Sequence, residues 1–146
     1  MTQLSKYFAL SEMTVSQSAA RRGLKNIPFG KQLENLKQTA QRMDAIREML
    51  GKPVLVSSGY RNAEVNALVR GSKTSAHCHG LAVDFTCPGY GNPLAVAKAV
   101  LAMGIEFDQL IHEYGAWVHI GFAEPGKPSR RQLLTINKRG TQLGLL

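Results

Sequence analysis

Apolar residues recur at three- and four-residue steps from Lys31 to Leu50, at Leu33, Leu36, Ala40, Met43, Ile46 and Leu50. That spacing predicts one long helix with a single apolar stripe, stopped by Gly51 and Pro53. Val54–Ser58 reads as a buried strand ending in Gly59-Tyr60-Arg61, after which Asn62 caps a short helix over 63–69. Gly71–Ser75 is a polar loop. Leu81–Thr86 alternates, with Ala82 and Asp84 on one face and Leu81, Val83 and Phe85 on the other. Residues 88–93 form a loop, and Leu94–Met103 is an apolar helix closed by Gly104. Phe107–Glu113 and Trp117–Phe122 flank Tyr114-Gly115-Ala116 as a hairpin. Gln132–Ile136 fits one more strand, at an edge. The first 30 residues read as a loose arm with one short helix, begun near Leu10-Ser-Glu-Met and continued by Ser16–Arg22. Without repeats or an internal linker, residues 1–146 predict one α+β domain, a small antiparallel sheet with flanking helices. An N-terminal arm (1–30) and a basic C-terminal tail (125–146) complete it.

Composition narrows the classes. A chain of 146 residues, 44% hydrophobic and 19% charged, can bury a core without disulfides and is not disordered. No run approaches the roughly 20 apolar residues of a membrane helix. The first residues, Met1-Thr-Gln-Leu-Ser-Lys-Tyr-Phe8, lack a basic stretch followed by an apolar one, so cytoplasmic synthesis without a signal peptide is expected. Lys and Arg number 18 against 10 Asp and Glu, a net charge of +8. The cations are dispersed, with no aromatic RNA-binding motif and no zinc-finger spacing, which disfavours nucleic acid and suits an acidic wall polymer. Cys78 and Cys87 are expected as reduced thiols. Cys78, next to His77 on an extended segment, would point away from any site His77 serves.

The chemistry concentrates in two segments. Ser75-Ala-His-Cys-His-Gly-Leu-Ala-Val-Asp84 places His77 seven residues before Asp84, and Trp117-Val-His-Ile-Gly-Phe122 adds His119. Two imidazoles and a carboxylate form the ligand set of a catalytic Zn2+ whose fourth position is left to water, which points to a metallohydrolase. If the hairpin lies beside the Leu81–Thr86 strand, a turn at Gly80 brings all three side chains together. Glu113 then shares a face with Trp117 and His119 and is the candidate base; Asp108 falls on the opposite face. Arg61 is a candidate to bind a substrate carboxylate or an oxyanion, or to cap the following helix. Ser75 can hydrogen-bond substrate or orient His77, and Trp117 can wall a cleft or pack in the core. His79 and His112 have the wrong parity for the site.

Ser57-Ser-Gly-Tyr-Arg61, Ser75-x-His77-x-x-Gly80-x-Ala82-x-Asp84 and Trp117-Val-His119 together resemble the zinc D-alanyl-D-alanine carboxypeptidases and L-alanyl-D-glutamate peptidases over residues 5–125. Leu4-Ser-Lys-Tyr-Phe and Leu10-Ser-Glu-Met are similar to small phage and prophage members. The resemblance implies a hedgehog-like fold and a single zinc peptidase domain. It also implies cleavage of peptidoglycan stem peptides, with His77, Asp84 and His119 as zinc ligands and Arg61 as the carbonyl- or carboxylate-binding arginine. Many members carry the acid/base carboxylate three residues before the last histidine ligand, where this chain has Ala116. Glu113 either replaces it or leaves the copy without an efficient base. The expected protein is a monomeric zinc peptidase using zinc-activated water, an endolysin-type endopeptidase or a carboxypeptidase. It would reach the wall by holin-type release or within a phage particle, without stable membrane insertion. The alternative is a non-catalytic, zinc-containing structural or wall-binding module of a phage particle.

Overall fold

The periodic stretch forms one unbroken helix, α3 (Lys31–Leu50). Its stripe is fully used, since Leu36, Ala40, Met43 and Ile46 are all 0% exposed. Burying each of the Leu36, Met43 and Ile46 side chains contributes about 1.5–3 kcal/mol. Gly51 ends the helix in the left-handed region, where its N–H bonds back to the Arg47 carbonyl. The computed structural model describes residues 2–146, so Met1 of the expected arm lies outside the described residues.

The α3 stripe packs against a six-stranded sheet. Its strands are β1 (Leu55–Ser58), β2 (Ala82–Thr86), β3 (Gln109–Glu113), β4 (Trp117–Gly121), β5 (Gln132–Asn137) and β6 (Gly140–Leu143). They lie in the order β1-β2-β4-β3-β5-β6. Neighbours run antiparallel except β3 and β5, which are parallel. Strand alternation sends Val83, Phe85, Leu110, Val118 and Ile120 into the core shared with α3 and with α5 (Pro93–Ala102). Asp84, Ile111, Glu113, Trp117 and His119 therefore belong to the other face. Register completes the placement: Asp84 is directly opposite His119, and Glu113 is opposite Trp117. The α+β expectation holds, and the sheet is mixed but mostly antiparallel.

Several expectations need correction. β1 is an edge strand rather than a buried one, with Leu55 55% exposed and only Val56 turned to the core. β5 is not an edge: it lies between β3 and β6, and β6 was not anticipated because its exposed Gly-Thr-Gln-Leu carries no apolar alternation. The 1–30 segment holds two short helices, α1 (Leu10–Met13) and α2 (Gln17–Arg21). Ser16 starts the second as its cap, accepting the Ala19 N–H, rather than continuing the first. Nor is the arm loose. Asp44 on α3 accepts from Ser5 Oγ at 2.9 Å and from the Lys6 and Tyr7 N–H groups at 3.0 Å, while Leu4, Phe8 and Met13 enter the core. As expected, Asn62 caps α4 (Ala63–Leu68).

Candidate metal centre

Cross-strand register alone brings Asp84 and His119 together, because directly opposed residues of an antiparallel pair share a face at close range. His119 Nδ1 lies 2.8 Å from Asp84 Oδ1. His77 arrives from a different element, a single 3-10 turn over Ala76–His79 rather than the expected extended segment. Its Nε2 lies 3.2 Å from the same Asp84 oxygen. One ligand atom from each of His77, Asp84 and His119 falls within 4.8 Å of the others, so this group could hold a metal ion.

The turn carrying His77 is braced from three sides. Ser75 caps it by accepting the His77 N–H, and Gly80 closes it at φ +74°. A side chain at Gly80 would be strained twice, by that φ and by a Cβ 2.5 Å from the Gln32 carbonyl oxygen. From α3, Asn35 Nδ2 donates to the His79 carbonyl at 3.0 Å, and buried Thr39 Oγ1 donates to the Gly80 carbonyl at 2.7 Å. From the strand side, His77 Nδ1 donates to the Gly59 carbonyl at 2.6 Å. Gly59 is itself pressed onto α1: a Cβ there would overlap the Met13 carbonyl, which also accepts the Tyr60 N–H at 2.8 Å. Sequence pattern alone gives Asn35, Thr39, Gly59 and Met13 no role at the site. The available signal was two small polar residues one helical turn apart beside the apolar stripe of α3.

This bonding pattern fits a cation. The Gly59 carbonyl can only accept, so the His77 proton sits on Nδ1 and a neutral ring turns its Nε2 lone pair toward Asp84. Burial pushes His77 toward that neutral form, although Asp84 pulls the other way. Burial also works to raise the Asp84 carboxyl, but its hydrogen bond with His119 and the charge interactions of the two imidazoles outweigh it and hold it well below the ordinary carboxylate range. The result is a lone pair facing a carboxylate oxygen, with a second imidazole nitrogen alongside. Two imidazoles and one carboxylate suit zinc by donor type, and the Gly59 carbonyl is the kind of outer partner that fixes a ligand's tautomer.

The remaining candidates are distributed around this group. Glu113 is half-buried on the same sheet face. Burial raises its carboxyl above the usual range, the Asp84 charge adds to that, and His119 and Arg61 oppose it. Arg61 donates from Nη2 to Ser75 Oγ at 3.1 Å, while its Nε is buried without a partner. It lines a cavity of about 460 Å³ with Ser57 and Ser58. A second cavity, of about 920 Å³, opens onto His119 and Ser75 and is bounded by Lys73, Gln109, Ile111 and Gly121. Trp117 is half-buried against Tyr114, ring centroids 5.6 Å apart, with its Nε1 unpartnered. His79 is exposed beside the larger cavity, and His112 donates from Nδ1 to the Leu146 carbonyl at 3.0 Å, so neither joins the group. Asp108 is committed to Arg130. Cys78 is not part of the metal-capable group, and it lies on a 3-10 turn rather than an extended segment. Both cysteines are free thiols. Ala116 is exposed in the hairpin turn.

A family model described as Peptidase M15 matches residues 6–121. The chain belongs to the Peptidase M15 family. The M15 match runs past α1 to the end of β4 and so takes in the metal-capable group, the turn that carries it and Glu113. It identifies a metallopeptidase, a hydrolase acting on peptide bonds. β5 and β6 lie beyond it. No curated protein matches the chain. Among the described residues, no helix is long and apolar enough to cross a membrane.

Proposed function

We propose that this M15 protein is a zinc-dependent peptidase that hydrolyses peptide bonds in the stem peptides of peptidoglycan. The observation that carries the reading is the His77–Asp84–His119 group on an open sheet face, with Glu113 on the same face and Arg61 at its rim. Zinc held by His77, Asp84 and His119 would supply Lewis acidity toward a peptide carbonyl and lower the pKa of water. Glu113 takes the proton of the attacking water on its carboxylate and returns it to the leaving amine. Its raised affinity for protons suits it to both halves of that transfer. Arg61, already anchored through Nη2 to Ser75, presents its remaining N–H groups to a substrate carboxylate or to the oxygen that gains charge. Ser75 holds both the His77 backbone and Arg61, so it positions ligand and arginine together. Trp117 walls the cleft beside Glu113. The larger cavity opens directly onto His119 and Ser75 and gives room for an extended stem peptide, which favours a lysin-type endopeptidase over a carboxypeptidase.

The test is incubation of the zinc-loaded protein with intact peptidoglycan, followed by mass spectrometry of the released fragments. New termini between L-alanine and D-glutamate are expected, whereas free D-alanine would identify a carboxypeptidase. Stoichiometric zinc with no cleavage would favour a wall-binding module, the reading consistent with Ala116 where many relatives carry a carboxylate.

A further inference from the structure

The loop from Gly23 to Gly30 takes no part in the metal centre, yet it is built with care. Its residues alternate as in an extended strand: Asn26 and Pro28 turn inward, while Ile27 and Phe29 turn outward. The inward pair is fixed. Asn26 Nδ2 donates to the Thr14 carbonyl at 3.0 Å and the Tyr60 carbonyl at 2.8 Å, and Asn26 Oδ1 accepts the Asn62 N–H at 2.9 Å. Asn62 Nδ2 adds a bond to the Lys25 carbonyl at 2.7 Å, and Pro28 is buried. The two large side chains cannot retreat into the fold, and they stand 62% and 76% exposed.

Charge surrounds them on one sign only. From Met13 to Leu33 the chain holds four cations, Arg21, Arg22, Lys25 and Lys31, and no acidic residue. All four are exposed, and among the described residues none of them forms an ion pair. An acidic polymer would need the cations alone and would gain nothing from an outward phenylalanine and isoleucine. A tethered apolar tip with unpaired cations before and after it in the chain instead matches the boundary between phosphate headgroups and acyl chains.

We propose that the Gly23–Gly30 loop docks this protein on an anionic lipid surface, with Ile27 and Phe29 entering the headgroup–acyl boundary and the four cations meeting lipid phosphates. The attachment is peripheral and reversible. The experiment is co-sedimentation of the full chain with vesicles of phosphatidylglycerol and phosphatidylcholine, and with phosphatidylcholine alone. Binding to the anionic vesicles is expected, weakened by salt, and reduced about tenfold or more by Ile27→Ser with Phe29→Ser at unchanged net charge. Full binding by that double variant would overturn the proposal in favour of purely electrostatic adsorption, as onto an acidic polymer. Absence of binding to anionic vesicles would overturn it outright. Far-UV circular dichroism checks the fold of the double variant. Phe29→Trp in the otherwise native chain gives an independent reading: its emission should shift to the blue on anionic vesicles, and an unchanged spectrum would count against insertion.

Discussion

Replacing Thr39 by valine keeps the shape of a fully buried side chain and removes one hydroxyl, the donor to the Gly80 carbonyl at 2.7 Å. A buried carbonyl left without its donor costs about 1–3 kcal/mol. For a domain of this size that corresponds to a loss of about 2–12 °C in Tm. The Gly80 carbonyl belongs to the residue that closes the His77 turn, so slackening it also frees the ligand. Outer partners of metal ligands typically contribute about 10–100-fold in metal affinity. Calorimetry on metal-free Thr39→Val would read the first effect, and competitive zinc titration against a chromophoric chelator would read the second. Both should fall together, and adding Asn35→Leu should give less than the sum, because the two donors brace adjacent carbonyls. A Tm changed by less than about 1 °C, with zinc affinity unchanged, would refute the bracing role of α3. The turn would then be held by its own contacts, the Ser75 cap and the Leu81 N–H to Ala76 carbonyl bond.

Glu113→Gln should lower kcat by about 10²–10⁴ while leaving zinc stoichiometry intact, measured by fragment release and by metal analysis. Burial raises the Glu113 carboxyl, so the acidic limb of kcat/KM should lie above the ordinary 4.5 and disappear in the variant, because only the ionised form can take the proton. Zinc affinity should fall as pH drops, since a protonated imidazole cannot ligate. For His77 that loss should begin below the ordinary 6.5, because burial opposes its protonation, and titrations of affinity against pH would locate it. Asp108→Asn removes a forked pair with Arg130, with contacts of 2.7 to 3.2 Å that are largely exposed, and should cost at most about 1 kcal/mol in urea unfolding at neutral pH. Arg130 holds the Asp108 carboxyl below 3.8, so the pair's contribution is complete above that value and is lost as pH falls through the lower folded value. Wild type and variant should converge there.

The parts legible in the sequence were those whose partners are near in the chain or whose period is strong. The α3 stripe repeats over five turns, and the hairpin of β3 and β4 is joined by a Tyr-Gly-Ala turn, so both were readable to within a residue or two. The face shared by Glu113, Trp117 and His119 followed from strand alternation alone. What stayed hidden depends on distant pairing. β5 lies parallel to β3 only because β4 and a long connection intervene, and no local pattern marks that neighbour. Thr39 and Asn35 looked like polar interruptions at the margin of an apolar stripe, when they are donors to carbonyls some 40 residues away. The 3-10 turn at His77 is too short for any periodicity.

The three ligand side chains come from a capped turn, an inner strand and a second inner strand that follows only after α5 and β3. They converge only once β4 has paired with β2 across the intervening α5 and β3. During synthesis the histidine at 119 is the last to arrive, and it meets Asp84 only when β4 has zipped against β2. A metal held by this group would bind the finished arrangement more tightly than its pieces, so free zinc would favour the completed sheet over partly folded forms. Metal uptake would thereby report on tertiary completion, and a nascent or damaged chain would lack the site through its own lack of structure.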